Sequence, residues 1–332
     1  MTDPMRPREP STPGSREQGR AGKEPRFGES LFRKSLRKFR RDRFGMLGLG
    51  VVALFALIAL GVKAGLFCTL EDATKVVGPQ FVRPGEAYEW FVSPPPGAPD
   101  DAEWTTIKAT SVLGTDIQGS DVLTKLVYSI KQAFAIGILV AFFSVLIGVL
   151  LGSISGYFPG RIDDFLLWVY TSICSVPFIL WIVSISYAFG KGFTGVVVAL
   201  SCTFWVGTYF NVRTEVRKLK EMEYVLASES FGTSKWRIIT GDIIPNLSHL
   251  IFIFMSLNFV AAIKNEVILS FLGLGIAGEP SWGLMISNAR LDLLAGKWWE
   301  VTGATVLLFI LVMAFNLFTD ALQDAFDPKK VG

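Results

Sequence analysis

Long apolar stretches alternate with charged segments along this chain. Six intervals contain no Asp, Glu, Lys or Arg, and they span residues 44–62, 132–160, 165–190, 192–212, 243–263 and 301–319. A helix needs about 20 apolar residues to cross the hydrocarbon core of a bilayer. Buried helices of a large soluble protein, the alternative, are usually shorter and carry a polar face. The pattern therefore predicts an all-α membrane protein with six transmembrane helices.

The distribution of Lys and Arg predicts the orientation, because cytoplasmic segments retain these residues. If the N-terminus is inside, the inner segments carry 22 basic residues and the outer segments 10. The inner segments are 1–43, 161–164, 213–242 and 320–332. Both termini are therefore expected in the cytoplasm, with the chain in the cell inner (plasma) membrane. A basic run before the first span dominates the count and suits anionic lipid better than nucleic acid; it comprises Arg33, Lys34, Arg37, Lys38, Arg40, Arg41 and Arg43.

The segments between the spans suggest a plan for the whole chain. Residues 1–30 are rich in Pro, Gly, Ser, Arg and Glu, which predicts a disordered cytoplasmic tail. Segment 31–62 joins the basic run to the first helix. Segment 63–131 is an outer loop that is expected to be partly ordered, and apolar residues at helical spacing from Val122 to Ile130 predict an interfacial helix at its end. A transmembrane core with helices two to six, including segment 213–246, then spans 132–322, and a cytoplasmic C-terminus spans 323–332.

Composition excludes several kinds of chemistry. Hydrophobic residues make up 51% of the 332 positions and charged residues 18%, and the chain has one His and three Cys. These residues do not provide the spacings of a zinc site or a disulfide framework. The sequence also lacks the glycine-rich G-x-x-x-x-G-K-[ST] loop that cradles nucleotide phosphates. We therefore predict a chain that is not an enzyme and binds no cofactor or metal, so that any ATP is handled elsewhere.

The inner segment 213–246 carries the most informative motif. Four residues fall on one face of a predicted short helix, and Gly232 is placed to end it. Pro245 follows early in the next span, where a missing backbone donor costs least. Two interpretations are open from the residues alone: a helix that docks another protein, and a merely amphipathic interfacial loop. The four residues of this face are Tyr224, Ala227, Ser228 and Phe231.

This motif resembles the cytoplasmic coupling signature of binding-protein-dependent ABC importers. That signature has an Ala-Ala pair, a Gly at a fixed interval and a Pro thirteen residues later, and Ala227, Ser228, Gly232 and Pro245 keep the spacing. Other segments resemble the second permease subunit of dipeptide, oligopeptide and nickel importers. They are Glu223-Tyr224-Val225, Ile244-Pro245-Asn246, 114–123, 156–160 with Asp163, Glu266 with 269–275, 280–283 and 320–328. The resemblance covers most of the chain from the basic run onward.

The resemblance implies a type I ABC importer permease fold and a set of partners. A second homologous permease completes the pore, two P-loop ATPase subunits bind ATP and Mg and each receive a coupling helix, and an extracytoplasmic binding protein delivers the solute. On this account Glu223, Tyr224, Ala227, Ser228, Phe231, Gly232 and Pro245 couple the chain to an ATPase. The sequence departs from the family at Ser120 (usually Arg), at Ser228 (usually Ala), at Asp242 (usually His) and in a longer first outer loop.

Three further residues are candidates for a gate or pathway. Pro177 lies inside the third apolar interval, where proline kinks a helix. Lys264 and Glu266 follow the fifth interval and should point to different helix faces; the alternative is that both cap the span at the outer interface. Gly148, Gly152 and Gly156 repeat every four residues, which favours close helix contact, within the permease pair rather than around substrate.

Two functional classes remain in competition at this point. The first is a subunit of an ATP-driven importer, with di- or oligopeptides as the favoured solutes. The second is a self-contained channel or ion-coupled secondary transporter. A carrier usually shows ionisable residues inside its spans and an internal repeat with broken helices, and this sequence shows neither. The importer is therefore the favoured interpretation, and the alternative solutes are nickel complexes, opines, sugars or glutathione-like compounds.

Overall fold

Helices dominate the computed structural model, which describes residues 37–92, 105–276 and 278–326. The predicted disordered tail 1–30 lies outside these residues. A π-helical turn (Ile239–Ile243) and a 3-10 turn (Ile244–Leu247) precede the long helix that begins at Ser248. In chain order the elements are α1 (Arg43–Lys63), α2 (Leu70–Thr74), β1 (Ala87–Val92), β2 (Thr105–Thr110), α3 (Val122–Tyr157), α4 (Arg161–Cys174), α5 (Phe178–Phe189), α6 (Phe193–Lys220), α7 (Glu223–Ser230), α8 (Lys235–Ile238), α9 (Ser248–Phe271), α10 (Trp282–Leu294) and α11 (Trp299–Phe326).

Among the residues that the structure describes, five helical stretches are long and apolar enough to cross a membrane. They are α1, α3, α6, the stretch from α8 to α9 and α11, and the bent pair of α4 and α5 makes a sixth if it counts as one span. Each stretch overlaps one of the apolar intervals predicted from the sequence. The all-α fold with six apolar spans is therefore confirmed, with its third span broken.

The break in the third span lies at Pro177. Helices α4 and α5 meet there at 93°. Proline lacks a backbone N–H and disfavours the helical conformation in the residue before it, so one helix ends and another begins. Pro177 is the N-cap of α5, with φ −52° and ψ 127°. The kink predicted at this residue is confirmed, and it amounts to a right-angle turn.

Helices α3 and α6 form the tightest contact of the core. A Cβ atom added at Gly148 would lie 2.5 Å from Thr208 Cβ, and one added at Gly152 would lie 2.8 Å from the Tyr209 carbonyl oxygen. Gly156 faces the same helix one turn further on. The close contact predicted from the glycine spacing is confirmed, but it forms against α6 of the same chain rather than with another subunit.

The outer segment is partly ordered, as predicted. Strands β1 and β2 form an antiparallel hairpin, and Thr69 and Asp72 form a capping box on α2. The separate interfacial helix expected at 122–130 is wrong, because these positions are the first turns of the 36-residue helix α3. Asp121 caps that helix by accepting a hydrogen bond from the Thr124 amide at 2.9 Å. Since the apolar pattern runs on without a turn residue, nothing interrupts the helix there.

Candidate functional site

The short helix α7 forms an exposed connection between α6 and the stretch that leads into α9. Glu223 lies in its first turn, where a carboxylate interacts favourably with the helix dipole. At the other end the Thr233 amide donates to the Ser228 carbonyl at 3.2 Å, and the Gly232 amide donates to the Glu229 carbonyl at 2.9 Å. With φ of +75° at Gly232, these bonds form a Schellman cap. The helix therefore ends where the sequence predicted.

The face predicted for docking points away from the core. Phe231 is 90% exposed and Tyr224 is 43% exposed. Glu223 and Ala227 are also exposed, and Ser228 is partly buried. The structure thus brings these five residues to one surface that the described part of the chain leaves accessible.

Large apolar side chains surround this face. A cluster of exposed apolar groups marks a surface that binds another molecule. Partial burial raises the pKa of the Tyr224 phenol, and the nearby Asp242 carboxylate raises it further, so the phenol is neutral and can donate a hydrogen bond. We call the following set the α7 surface: Met222, Tyr224, Leu226, Phe231 and Trp236.

Val225 attaches α7 to the rest of the molecule. Its side chain is fully buried (0% exposed) on the side of the helix opposite the α7 surface. It belongs to an apolar cluster that joins α3, α6 and the segment before α9. The other buried members are Val145, Val149, Tyr157, Val212, Val216, Ile238, Ile239, Ile243 and Leu247. A rigid displacement of α7 therefore acts on both helices through this cluster.

A buried carboxylate, Asp163, connects the ends of α3, α4 and α6 near the start of α7. It lies in the first turn of α4 and accepts two hydrogen bonds from Arg213 of α6, at 2.6 Å from Nε and 2.8 Å from Nη2. Arg217, one turn further along α6, donates to Asp163 Oδ2, the oxygen that also accepts from Arg213 Nη2. Ser155 of α3 donates to Asp163 at 2.5 Å and lies 2.9 Å from the Tyr209 hydroxyl. The two Arg side chains occupy successive turns of one face of α6, so both reach the same carboxylate.

Two lysines clamp the α3 terminus to both flanks of α7. Lys220, before α7, donates to the backbone carbonyl of Tyr157 at 3.1 Å. The Lys220 Nζ also lies 5.1 Å from the centre of the Tyr157 ring. Lys235, after α7, places its Nζ 5.7 Å from the Phe158 ring centre. The Trp236 ring lies 6.1 Å from that same ring. The connection is therefore held at both ends by the last residue of α3, Tyr157, and by its C-cap, Phe158.

Pro245 lies where the backbone hydrogen-bond pattern changes. Because proline has no N–H, it cannot donate to the carbonyl four residues before it. The chain passes through the π-helical turn and then the 3-10 turn, which contains Pro245, before regular α9 begins. The side-chain amide of Asn246 donates to the Asp242 carbonyl at 2.6 Å and occupies one of the freed acceptors.

Lys264 and Glu266 lie within α9 rather than beyond its end. Lys264 is exposed, whereas Glu266 is only 5% exposed, so they do point to different faces as predicted. Ser270 donates to Glu266 Oε1 at 2.7 Å, and Ser281 donates to the same oxygen at 2.8 Å. The helix continues to Phe271, so neither residue caps its end. The alternative in which both lie at the outer membrane interface stays a prediction.

Sequence reasoning missed the two Arg partners of Asp163. Arg213 and Arg217 were counted as inner basic residues, and Asp163 entered only as part of a resemblance. Their spacing of four residues at the end of an apolar span was the available signal, because such a pair presents two charges on one helix face. Only the fold shows that α4 places an acid opposite that face.

Comparison with known proteins gives the family. Residues 148–332 match the binding-protein-dependent transport system inner membrane component family. The dipeptide transport system permease protein DppC of Bacillus subtilis is 34% identical over 88% of this chain and 84% of that protein. The oligopeptide transport system permease protein OppC of the same organism is 30% identical, covering 96% of each chain. The glutathione transport system permease protein GsiD of Pectobacterium atrosepticum is 30% identical over 81% of this chain and 87% of that protein.

These similarities cover the broken third span, the Asp163 cluster, α7 and α9. The chain therefore belongs to the family of inner membrane components of binding-protein-dependent transport systems, and it is a multi-pass membrane permease subunit with a type I ABC importer fold.

Proposed function

We propose that this chain is the second permease subunit of an ATP-driven, binding-protein-dependent importer of di- or oligopeptides. The named relatives are permease proteins of dipeptide, oligopeptide and glutathione transport systems, and glutathione is itself a short peptide. The partners are a second homologous permease, two P-loop ATPase subunits that hold ATP and Mg, and an extracytoplasmic binding protein. Membership of a multicomponent family argues against the self-contained channel or ion-coupled carrier.

The α7 surface is the observation that carries this proposal. It is apolar, exposed and set on a helix with a defined cap at Gly232, which suits insertion into a groove of an ATPase subunit. Phe231 and Tyr224 are its aromatic anchors, and such anchors usually supply most of the binding energy of an interface. Small Ala227 and Ser228 allow close approach, and Glu223 and Lys235 provide contacts at the rim.

Nucleotide-driven closure of the ATPases would then move α7 as a rigid body. Val225 transmits the displacement to the apolar cluster between α3 and α6, and the Asp163 network keeps the inner ends of α3, α4 and α6 together. Packed interfaces of this kind shift between discrete arrangements rather than deform continuously. The coupling segment 213–246 thereby controls access to the translocation pathway.

We also propose roles for the three gate candidates. The right-angle break at Pro177 gives the third span a hinge between α4 and α5. Glu266 positions the segment after α9, because both of its serine partners use the same carboxylate oxygen. Lys264 is exposed on the opposite face and is the one of the pair that is available to solute.

Removal of the Phe231 ring tests the docking proposal. Phe231→Ala should weaken association with the ATPase subunits about tenfold or more, since truncation of an interface anchor costs about 2 kcal/mol or more. Co-purification of a P-loop ATPase with the tagged chain from native membranes measures association, and dipeptide uptake by vesicles measures coupling.

Phe91→Ala on the outer hairpin is the matched control, because that ring is also largely exposed. It should leave both readouts unchanged. Normal ATPase recovery and uptake in Phe231→Ala would show that α7 is not the docking helix.

A further inference from the structure

A polar pocket opens at the end of the molecule that carries segment 63–131. None of the residues that line it belongs to the α7 surface. Its volume is about 240 Å³, and it lies where α3, α10 and α11 begin. One wall is apolar, with Leu284 and Met285. The others carry Lys125, Glu279 and Glu300, so the pocket combines charged groups with space for an apolar side chain.

Glu300 is the unusual group in this pocket. It is only 6% exposed, and it makes no hydrogen bond or ion pair with any residue in the part of the chain that the structure describes. Buried carboxylates are nearly always paired, because an uncompensated charge loses its hydration. Its place in the first turn of α11 offers partial compensation from the helix dipole. A buried carboxylate without a described partner can form an ion pair with a cation that enters the pocket.

The nearby basic groups are committed elsewhere. Lys125 forms a buried ion pair with Asp116 and donates to Gln118 Oε1 at 3.1 Å. Lys131 lies 3.9 Å from Glu279 Oε2. Each of these two pairs neutralises its own members, so Glu300 is the buried acid of the pocket that has no basic partner among the residues the structure describes.

Glu279 adds acceptor capacity at the pocket entrance. Tyr128 donates to its Oε2 at 2.8 Å, and Gln132 donates to the same atom, which leaves Oε1 for another donor. Asn288 supplies a donor on another part of the wall. The lining therefore suits a small zwitterion with one ammonium group, one acceptor end and a short apolar side chain.

We propose that this pocket receives the α-ammonium group of a short peptide on the outer side, with the Glu300 carboxylate as its ionic partner. The inference rests on the proposed peptide-import function and identifies a subsite on the permease itself. A primary ammonium offers three donors, and a charge-assisted hydrogen bond to a desolvated carboxylate is roughly twice as strong as a neutral one. N-acetylation of the peptide removes both the charge and two of the donors.

Protection of an engineered cysteine tests this proposal in native membranes. Cys68, Cys174 and Cys202 are replaced by alanine, and Asn288→Cys places a thiol on the exposed pocket wall. Right-side-out vesicles with the whole importer are treated with a membrane-impermeant maleimide. Dialanine should slow labelling severalfold, and N-acetyl-dialanine should not.

Glu300→Gln should raise the half-protecting concentration of dialanine about tenfold or more, as expected for loss of a hydrogen bond to a charged group. Its labelling rate without peptide should equal that of the parent, which shows that the pocket is folded. Glu89→Gln, on the exposed hairpin, should leave protection unchanged.

Three results would overturn the subsite: no protection by dialanine, equal protection by the N-acetylated peptide, or unchanged protection in Glu300→Gln. Slower labelling on addition of the binding protein without peptide would assign the pocket to a basic side chain of that protein instead. ATPase co-purification and dipeptide uptake are measured in the same vesicles. If both are normal while protection is absent, the pocket assignment fails and the proposed function stands; if both are absent, the function itself is wrong.

Discussion

At the scale of single residues, the polar contacts buried near the inner end of the molecule set the geometry of the coupling region. Asp163 is almost fully buried and accepts hydrogen bonds from one serine and two arginines. A buried carboxylate with this many donors holds its neighbours in fixed positions, because each donor would be left unpaired without it. The same carboxylate is shared by three helices, so one side chain determines how their ends meet.

Replacement of Asp163 by Asn should therefore destabilise the chain strongly. Removal of one partner from a buried ion pair costs about 3–5 kcal/mol, since Arg213 keeps a buried charge without compensation. The melting temperature of the chain purified in mild detergent should fall, and uptake should fall with it.

Glu215→Gln provides the comparison for this substitution. Glu215 pairs with Lys218 at 2.8 Å, but the Lys218 side chain is largely exposed. An exposed pair contributes about 0–1 kcal/mol, so the melting temperature should stay near that of the parent. Equal shifts in melting temperature for the two variants would show that Asp163 does not hold the ends of α3, α4 and α6 together.

At the scale of secondary-structure elements, three glycines of α3 decide how closely α3 and α6 pack. We call Gly148, Gly152 and Gly156 the glycine stripe. Its three glycines place the backbone of one helix against side chains and carbonyls of the other. Without a hydrophobic driving force between helices in lipid, such close van der Waals contact is a main source of helix association. The packing of α3 on α6 also positions Asp163 opposite its arginines.

Gly152→Ala is expected to disturb this packing. The added Cβ would lie 2.8 Å from the Tyr209 carbonyl oxygen. Both atoms are fixed by the backbone, so no side-chain rotation can relieve this contact. Overpacking of this kind costs about 1–3 kcal/mol. Thermal unfolding monitored by circular dichroism in detergent should report the loss.

Gly207→Ala on α6 makes the contrast, because no atom lies within 4 Å of the Cβ it would add. This variant should be as stable as the parent or up to about 1 kcal/mol more stable, from helix propensity alone. If both alanine variants behaved alike, the glycine stripe would not be a packing contact.

At the scale of the whole molecule, the two functional surfaces lie at opposite ends of the helices. The hairpin and the Glu300 pocket are connected to the outer ends of α3 and α11, whereas α7 follows the other end of α6. The excess of Lys and Arg in the segments on the α7 side predicts that this end faces the cytoplasm. That arrangement suits a chain that takes solute at one side and receives ATPase motion at the other.

Labelling from the two sides of the membrane tests the orientation. In a cysteine-free background, Glu89→Cys on β1 should react with an impermeant maleimide in right-side-out vesicles, and Glu229→Cys on α7 should react in inside-out vesicles. Both parent side chains are exposed, so access to the site is governed by the membrane alone. The reverse result would invert the topology and place α7 outside.

Much of this fold follows from local patterns. The apolar intervals, the break at Pro177, the end of α7 at Gly232 and the tight glycine contact were all predictable, because each depends on residues close together in the chain. The separate interfacial helix at 122–130 was wrong for the same reason. Amphipathic spacing shows that a helix forms there but does not show whether it joins the next apolar run.

The sequence by itself determined the spans, the family signature and the position of the short helix α7, since hydrophobicity and turn chemistry act locally. Only the tertiary structure decided which distant groups meet. It paired Asp163 with Arg213, enclosed Glu266 between two serines and left Glu300 without a partner among the residues that the structure describes. Electrostatic interactions depend on distance and burial rather than on position in the chain, so these contacts appear only when the helices are packed.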